Sequence, residues 1–189
     1  MIKKIFSRRP SYAFFFALIF LIGLISAISI FNASAQIETG ESLPEAIRYS
    51  ENFDGVTAPN LPAGWTVTAS GAGASFATTT NTPHGAPNAV FTVSPPTTSA
   101  TDLTSPQIYV TSADSILNFR NKFAMENTWD GGVLEISIAG GAFQDIITAG
   151  GAFITGGYNG VLNPSTNPLG NRFAWTGQSQ NGYQLTSVR

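Results

Sequence analysis

Glycine and proline interrupt the sequence after residue 48 at intervals that leave no room for a long helix. Gly-Gly pairs stand at 140–141, 150–151 and 156–157, and proline punctuates 58–62 and 81–87. The segments between them are short, and none keeps a helical period. Short alternating strands separated by Gly and Pro turns are typical of a β-sandwich or barrel. Without helices to cover parallel strands, the sheets should be antiparallel, so the sequence predicts an all-β antiparallel fold.

Two segments show strand alternation most clearly. Residues 115–125 place leucine, phenylalanine and methionine on one face and charged or amide side chains on the other. Residues 133–138 place leucine and isoleucine, ending with Ile138, on the inner face and Glu135 and Ser137 on the face toward water. Shorter strands are predicted at 47–53, 65–68, 89–93, 107–110 and 184–188.

The first 35 residues predict a secretory signal peptide. Basic residues at positions 3, 4, 8 and 9 precede the apolar run 12–31, and Ala33-Ser34-Ala35 supplies the small-x-small cleavage pattern. About 20 apolar residues also suffice to span a bilayer, so an uncleaved anchor, with membrane contact only through this segment, is the alternative. A polar leader, 36–47, then precedes one domain. The protein is therefore expected to be secreted or held at the cell surface.

Charge and cysteine content narrow the classes of partner. Removal of residues 1–35 takes four of the nine Lys and Arg residues and none of the eleven acids, which leaves five basic residues and a net charge of −6. An acidic chain without a basic cluster is repelled by polyanions, which excludes nucleic acid as a partner. The chain has no cysteine, so an exported domain of this kind must rely on its core or on a metal rather than on disulfides.

The segments ENFDG (51–55) and LPAGW (61–65) resemble those of a known family. They resemble the opening strand and turn of MAM-like and cleaved-adhesin-type jelly rolls, which are modules of secreted bacterial peptidases and surface proteins. Further matching segments follow in the same order at 103–106, 117–119, 130–137, 157–160 and 172–177. The resemblance implies a concanavalin-like jelly-roll β-sandwich over 48–189. Such domains continue beyond the segment 184–188, so it also implies a domain incomplete at its C-terminus, with an open edge and marginal stability.

The inventory of reactive groups argues against an enzyme. The single histidine, His84, lies in a proline-rich loop and is expected to be a solvated turn residue. No cysteine nucleophile, G-x-S-x-G elbow, H-E-x-x-H pair or phosphate loop is present. The remaining catalytic hypothesis is a glycosidase that uses Asp130 and Glu135 as its two carboxyls. Their D-G-G-V-L-E spacing favours a turn residue and an outward strand acid instead, so the prediction is a non-catalytic protein.

Candidate site residues come from two hypotheses. Calcium prefers carboxylate and carbonyl oxygens, and related jelly rolls use it to pin the first and last strands. The resemblance therefore implies a structural calcium at Glu51 and Asp54, with Asp130 as a third ligand. Exposed aromatic side chains suit ligand contact, and Trp129 and Tyr158 lie in predicted loops, whereas Trp65 and Trp175 border strands and are expected to be buried.

The predicted function is extracellular adhesion or recognition of a protein or glycan. Two alternatives stay open. The chain is either an accessory module of a secreted peptidase whose catalytic part lies elsewhere, or a carbohydrate-binding module.

Overall fold

The computed structural model describes residues 2–7, 49–93, 97–110, 112–165 and 167–189. The regular structure of these residues is entirely β, as predicted, and residues 49–189 form one compact unit with the N-terminal strand. Within this part of the chain there is no helix with the length and hydropathy needed to cross a membrane. The predicted signal peptide beyond residue 7 and the predicted leader 36–47 lie outside the described residues. The strands are β1 Ile2–Ser7, β2 Thr66–Gly71, β3 Ala77–Thr79, β4 Ala89–Phe91, β5 Ser99–Thr104, β6 Ile108–Tyr109, β7 Leu117–Asn121, β8 Leu134–Ile138, β9 Gln144–Asp145, β10 Phe153–Thr155, β11 Gly160–Val161, β12 Phe173–Ala174 and β13 Gln184–Val188.

The strands are organised in two larger sheets and two ribbons. A six-stranded sheet has the order β2-β5-β1-β8-β9, with β6 also paired to β1, and a three-stranded sheet has the order β10-β13-β7. Strands β11 and β12 form one antiparallel ribbon, and β3 and β4 form another. All pairings between described strands are antiparallel except those of β1, which runs parallel to β5, β6 and β8. Strand β13 is the central strand of its sheet, so its backbone is paired on both sides.

The main core lies between β8 of the six-stranded sheet and the inner face of the three-stranded sheet. Leu134, Trp175 and Val188 are buried at its centre, with Phe119 and Phe153 packed against them. The face-to-face packing of two sheets around one apolar layer is the arrangement of a sandwich-like fold. Burial of each such leucine or valine side chain contributes about 2 kcal/mol, so this layer is the main source of stability in the described residues.

Alternation over 115–125 is confirmed. From Leu117 to Met125 the odd-numbered residues are partly buried, and the even-numbered ones are exposed. Trp65 and Trp175 are 9% and 4% exposed, which confirms that both rings are buried. The indole N–H of each finds an acceptor, the Tyr49 hydroxyl for Trp65 and the Gly156 carbonyl for Trp175.

The Gly-Gly pairs mark turns with positive φ at their first members. Gly140, Gly150 and Gly156 have φ of 78°, 97° and 63°. The second glycine of each pair does not have a positive φ. Gly156 is also tightly enclosed, since a Cβ there would lie 2.1 Å from the Leu185 carbonyl oxygen. Only glycine meets both conditions, because other residues are strained at positive φ and carry the clashing atom.

The predicted strand at 47–53 is wrong for its described part, because residues 49–53 form no strand. Local side-chain hydrogen bonds replace strand pairing there. The Glu51 carboxylate accepts the Phe53 N–H at 2.6 Å, and the Asn52 side chain accepts the Asp54 N–H at 3.1 Å. Such bonds compete with a sheet ladder, and they accompany a positive φ of 66° at Phe53.

The predicted strand at 133–138 exists as β8, but its assignment of faces is wrong in part. Glu135 and Ser137, expected to face water, are 8% and 4% exposed, whereas Ile138, expected to face inward, is 45% exposed. The reason is that β8 is covered on both faces. The Ser137 hydroxyl donates to the Gly141 carbonyl at 2.6 Å, and an arginine from a distant segment reaches Glu135.

Candidate recognition surface

A partly buried polar network links the six-stranded sheet to Arg172, the residue before β12. Arg172 donates to Glu135 at 2.7 Å and to Asp145 at 2.9 Å, and the two acids are register partners on β8 and β9. Two carboxylates this close repel each other, and the planar guanidinium provides donors for both. Burial lowers the pKa of Arg172, but its bonds to Glu135 and Asp145 outweigh that effect, and the pKa is raised overall.

Tyr158 completes this network. Its hydroxyl accepts the Leu134 N–H at 2.9 Å and lies 3.2 Å from the Leu134 carbonyl and 3.1 Å from Asp145, either of which accepts its proton. Burial is the largest cause that raises the pKa of the Tyr158 hydroxyl far above its ordinary value. The ring packs edge-on against Trp175, with centroids 4.8 Å apart. Ring and hydroxyl are thus both engaged inside the protein, which gives no support to the ligand-binding prediction for Tyr158.

The three predicted calcium ligands are not assembled in one place. Within the described ranges no group of three or more His, Asp or Glu side chains is positioned to hold a metal ion. The Asp54 carboxylate instead accepts the N–H of buried Asn88 at 3.0 Å and the Asn52 amide at 2.7 Å. Calcium binding at Glu51 and Asp54 stays a prediction.

Asp130 lies in the turn that follows β7, as predicted. Its backbone N–H donates to the Glu126 carbonyl at 2.9 Å, and its own carbonyl accepts the Thr176 hydroxyl at 2.7 Å. Glu135 has Asp145 as its register partner on β9 and shares Arg172 with it, and the glycosidase pairing of Asp130 with Glu135 stays a hypothesis.

Trp129 is 43% exposed on the same turn, and the turn is rigidly held. The Thr176 hydroxyl accepts the Thr128 N–H at 2.7 Å, and the Thr128 carbonyl accepts the Asn163 N–H at 2.8 Å. The side chain of Asn167 donates to the Trp129 carbonyl. The loop after β11 therefore contacts the backbone of the Trp129 turn and holds that turn in place.

The β11–β12 ribbon carries two large exposed apolar side chains. Val161 and Phe173 are register partners and are 45% and 67% exposed. On the opposite side of the ribbon, Leu162 and Ala174 are 1% and 0% exposed and pack on Val133. The buried side anchors the strands, and the outer side is free to contact another molecule. We call Val161 and Phe173, together with exposed Trp129 on the turn that bonds to the loop after β11, the ribbon face.

Sequence reasoning found one of these three residues. The strands Gly160–Val161 and Phe173–Ala174 have only two residues each, which is too short for a periodic pattern. The sequence therefore did not predict Val161 and Phe173 as surface residues. The sequence could have indicated a structural role for Arg172. It is one of only five basic residues after residue 35, and it stands directly before the apolar segment Phe-Ala-Trp.

Comparisons with known proteins add no family. A scan against protein-family models, a search of curated proteins and a search of solved structures each gave no match. The jelly-roll resemblance and the order of strands that it implies therefore stay predictions, and the function has to be argued from the surface itself.

Proposed function

We propose that the protein is a non-catalytic recognition or adhesion module that acts outside the cell and binds a partner protein through the ribbon face. The observation that carries the proposal is the exposed pair Val161 and Phe173 on a ribbon whose other side is fully buried. Exposed apolar groups on a rigid support are typical of binding sites, because little conformational freedom is lost on association. The extracellular location rests on the signal-peptide pattern.

A protein fits this face better than a glycan does. Sugars require many hydrogen bonds to their hydroxyl groups, and the amides beside Trp129 are engaged within their own loop. The Asn163 side chain accepts the Ser165 N–H at 3.0 Å, and that of Asn167 accepts the Leu169 N–H at 2.7 Å and donates to the Trp129 carbonyl. What the face offers outward is apolar area from an aromatic and an aliphatic side chain, which is the composition of an interface core.

The Phe173→Ala variant is expected to weaken partner binding at least tenfold. Aromatic residues at the centre of an interface contribute about 2 kcal/mol or more, and tenfold corresponds to about 1.4 kcal/mol. Fluorescently labelled full chain would be applied to a panel of purified extracellular proteins and, in parallel, to a glycan array. Wild-type chain should bind at least one protein of the panel, and Trp129→Ala should reduce that binding as well.

Phe91→Ala is the matched control, because Phe91 is 54% exposed on the separate β3–β4 ribbon. This variant should bind like wild type. Equal losses in the two phenylalanine variants, or no binding to any protein of the panel, would contradict the assignment of the ribbon face. Binding to glycans alone, reduced by Trp129→Ala, would identify a carbohydrate-binding module instead.

A structural calcium at Glu51 and Asp54 is a separate proposal, supported by the carboxylates of the opening segment. Millimolar calcium is expected to raise the melting temperature, since a ligand at ten times its dissociation constant adds about 1.4 kcal/mol of stability. The calcium-dependent rise should disappear in the double variant Glu51→Gln/Asp54→Asn and persist in Asp114→Asn, which changes an exposed acid that is not a predicted ligand. Equal melting temperatures with calcium and with chelator would rule the site out.

A further inference from the structure

Strand β1 alone joins the two halves of the six-stranded sheet. On one side it pairs with β5 and then β6, from Ile2↔Leu103 to Ser7↔Tyr109. On the other side it pairs with β8, from Ile2↔Leu134 to Phe6↔Ile138. No pairing between β5 or β6 and β8 occurs in the described residues. The sheet without β1 would thus consist of two separate parts that face each other across an empty strand position.

The width of that position suits one strand. Neighbouring strands lie about 4.8 Å apart, so the edges of β5 and β8 are separated by about 10 Å. Across that distance the two edges cannot bond to each other, yet both present backbone N–H and C=O groups that need partners. We call this position, bounded by residues 103–109 and 134–138, the strand slot.

The present occupant lies in a segment that the sequence marks for removal. Ile2–Ser7 belongs to the basic region before the apolar run, and the predicted cleavage after Ala35 would separate it from the domain. Lys4 holds the register position beside Ile136, a residue that packs against the main core.

We propose that the strand slot is a binding site for an extended strand of a partner polypeptide, which enters parallel to β5 and β8 when Ile2–Ser7 is removed. This inference rests on the predicted cleavage and is independent of the ribbon face. Strand addition of this kind gains affinity from main-chain hydrogen bonds and specificity from alternate side chains. The slot favours apolar residues beside Leu134, Ile136 and Ile138. Tyr109 and Ile138, which pair with the last two residues of β1, are 58% and 45% exposed.

The test uses the full chain with a specific protease site in the leader 36–47, folded in detergent and then cleaved. Fluorescent peptides of residues 1–8 are added, and binding is followed by anisotropy. The native peptide should bind, and a peptide with Lys4→Ile should bind at least tenfold more tightly because an apolar residue then stands beside Ile136. A peptide with Ile5→Pro should not bind, since proline cannot complete a ladder inside a sheet.

A locked chain provides the matched control. The described residues and the sequence contain no cysteine, so the pair Lys4→Cys/Ile136→Cys can be oxidised without competing thiols. The oxidised chain should bind none of the peptides after cleavage, and reduction should restore binding. Equal binding of the Ile5→Pro peptide, or no exchange of any peptide, would overturn the proposal. A cleaved chain that dimerises, as measured by light scattering, would show that a second copy rather than a partner fills the slot.

Discussion

The Arg172→Leu variant is expected to lose about 3 kcal/mol of unfolding free energy, because removal of one partner leaves the other charges buried and uncompensated. Glu135 and Asp145 would then face each other across β8 and β9 with their side chains only 10% and 17% exposed and no guanidinium between them. Chemical denaturation followed by far-UV circular dichroism measures the change.

Two further variants separate charge from packing in this network. Addition of Glu135→Gln and Asp145→Asn to Arg172→Leu should recover part of the lost stability, because the mutual repulsion of the carboxylates is gone. Arg120→Leu, at an exposed position on β7 opposite Leu185, should change stability by less than about 0.5 kcal/mol. If the two arginine variants were equally stable, the network would have no structural role.

The Trp175→Ala variant is expected to lose about 3–5 kcal/mol, the usual cost of a large cavity in a core. The ring of Trp175 is 4% exposed and makes edge contacts to Phe119, Phe153 and Tyr158, with centroids 5.8, 5.7 and 4.8 Å away. Its N–H donates to the Gly156 carbonyl at 2.9 Å, so the tight turn at Gly156 would also lose a partner. Denaturation followed by circular dichroism avoids the fluorescence change that loss of a tryptophan causes.

Trp129→Ala is the natural comparison, because it removes the same side chain from a site that is 43% exposed. Its loss of stability should stay below about 1 kcal/mol, while its effect on partner binding is the larger one. Trp175→Phe should fall between the two, since it keeps an aromatic ring but loses the hydrogen bond. Similar losses at 129 and 175 would show that the Trp129 turn is part of the core, which would weaken the case for the ribbon face.

These variants distinguish residues that stabilise the fold, Arg172 and Trp175, from Phe173, which is exposed on the ribbon face. Arg172, which is partly buried, directly precedes Phe173, and buried Trp175 lies two residues beyond it, so both anchors hold the strand that exposes Phe173. A variant of either anchor is expected to reduce binding through loss of the fold. Phe173→Ala is expected to reduce binding with the fold intact, and the circular dichroism spectrum distinguishes the two cases.

Several features were determined by the sequence alone. Apolar and polar residues alternate regularly over 115–125, which predicts strand β7 and its inner face from the pleat alone. Trp65 and Trp175 are buried because large aromatic rings beside strands pack into the protein interior. The Gly-Gly pairs at 140–141, 150–151 and 156–157 interrupt the strands, and each contains one positive φ, a conformation that glycine adopts without strain. These are local properties of the chain, so nearby residues suffice to predict them.

Only the tertiary structure decided the rest. Glu135 can be buried because Arg172, 37 residues away, donates hydrogen bonds to its carboxylate and to that of Asp145. The outer positions of Val161 and Phe173 depend on which side of the ribbon meets Val133, and the pairing of β1 with strands a hundred or more residues later has no local signal. Burial of a charge and the choice of an outer face depend on contacts between distant segments. The alternation of a single strand does not contain that information.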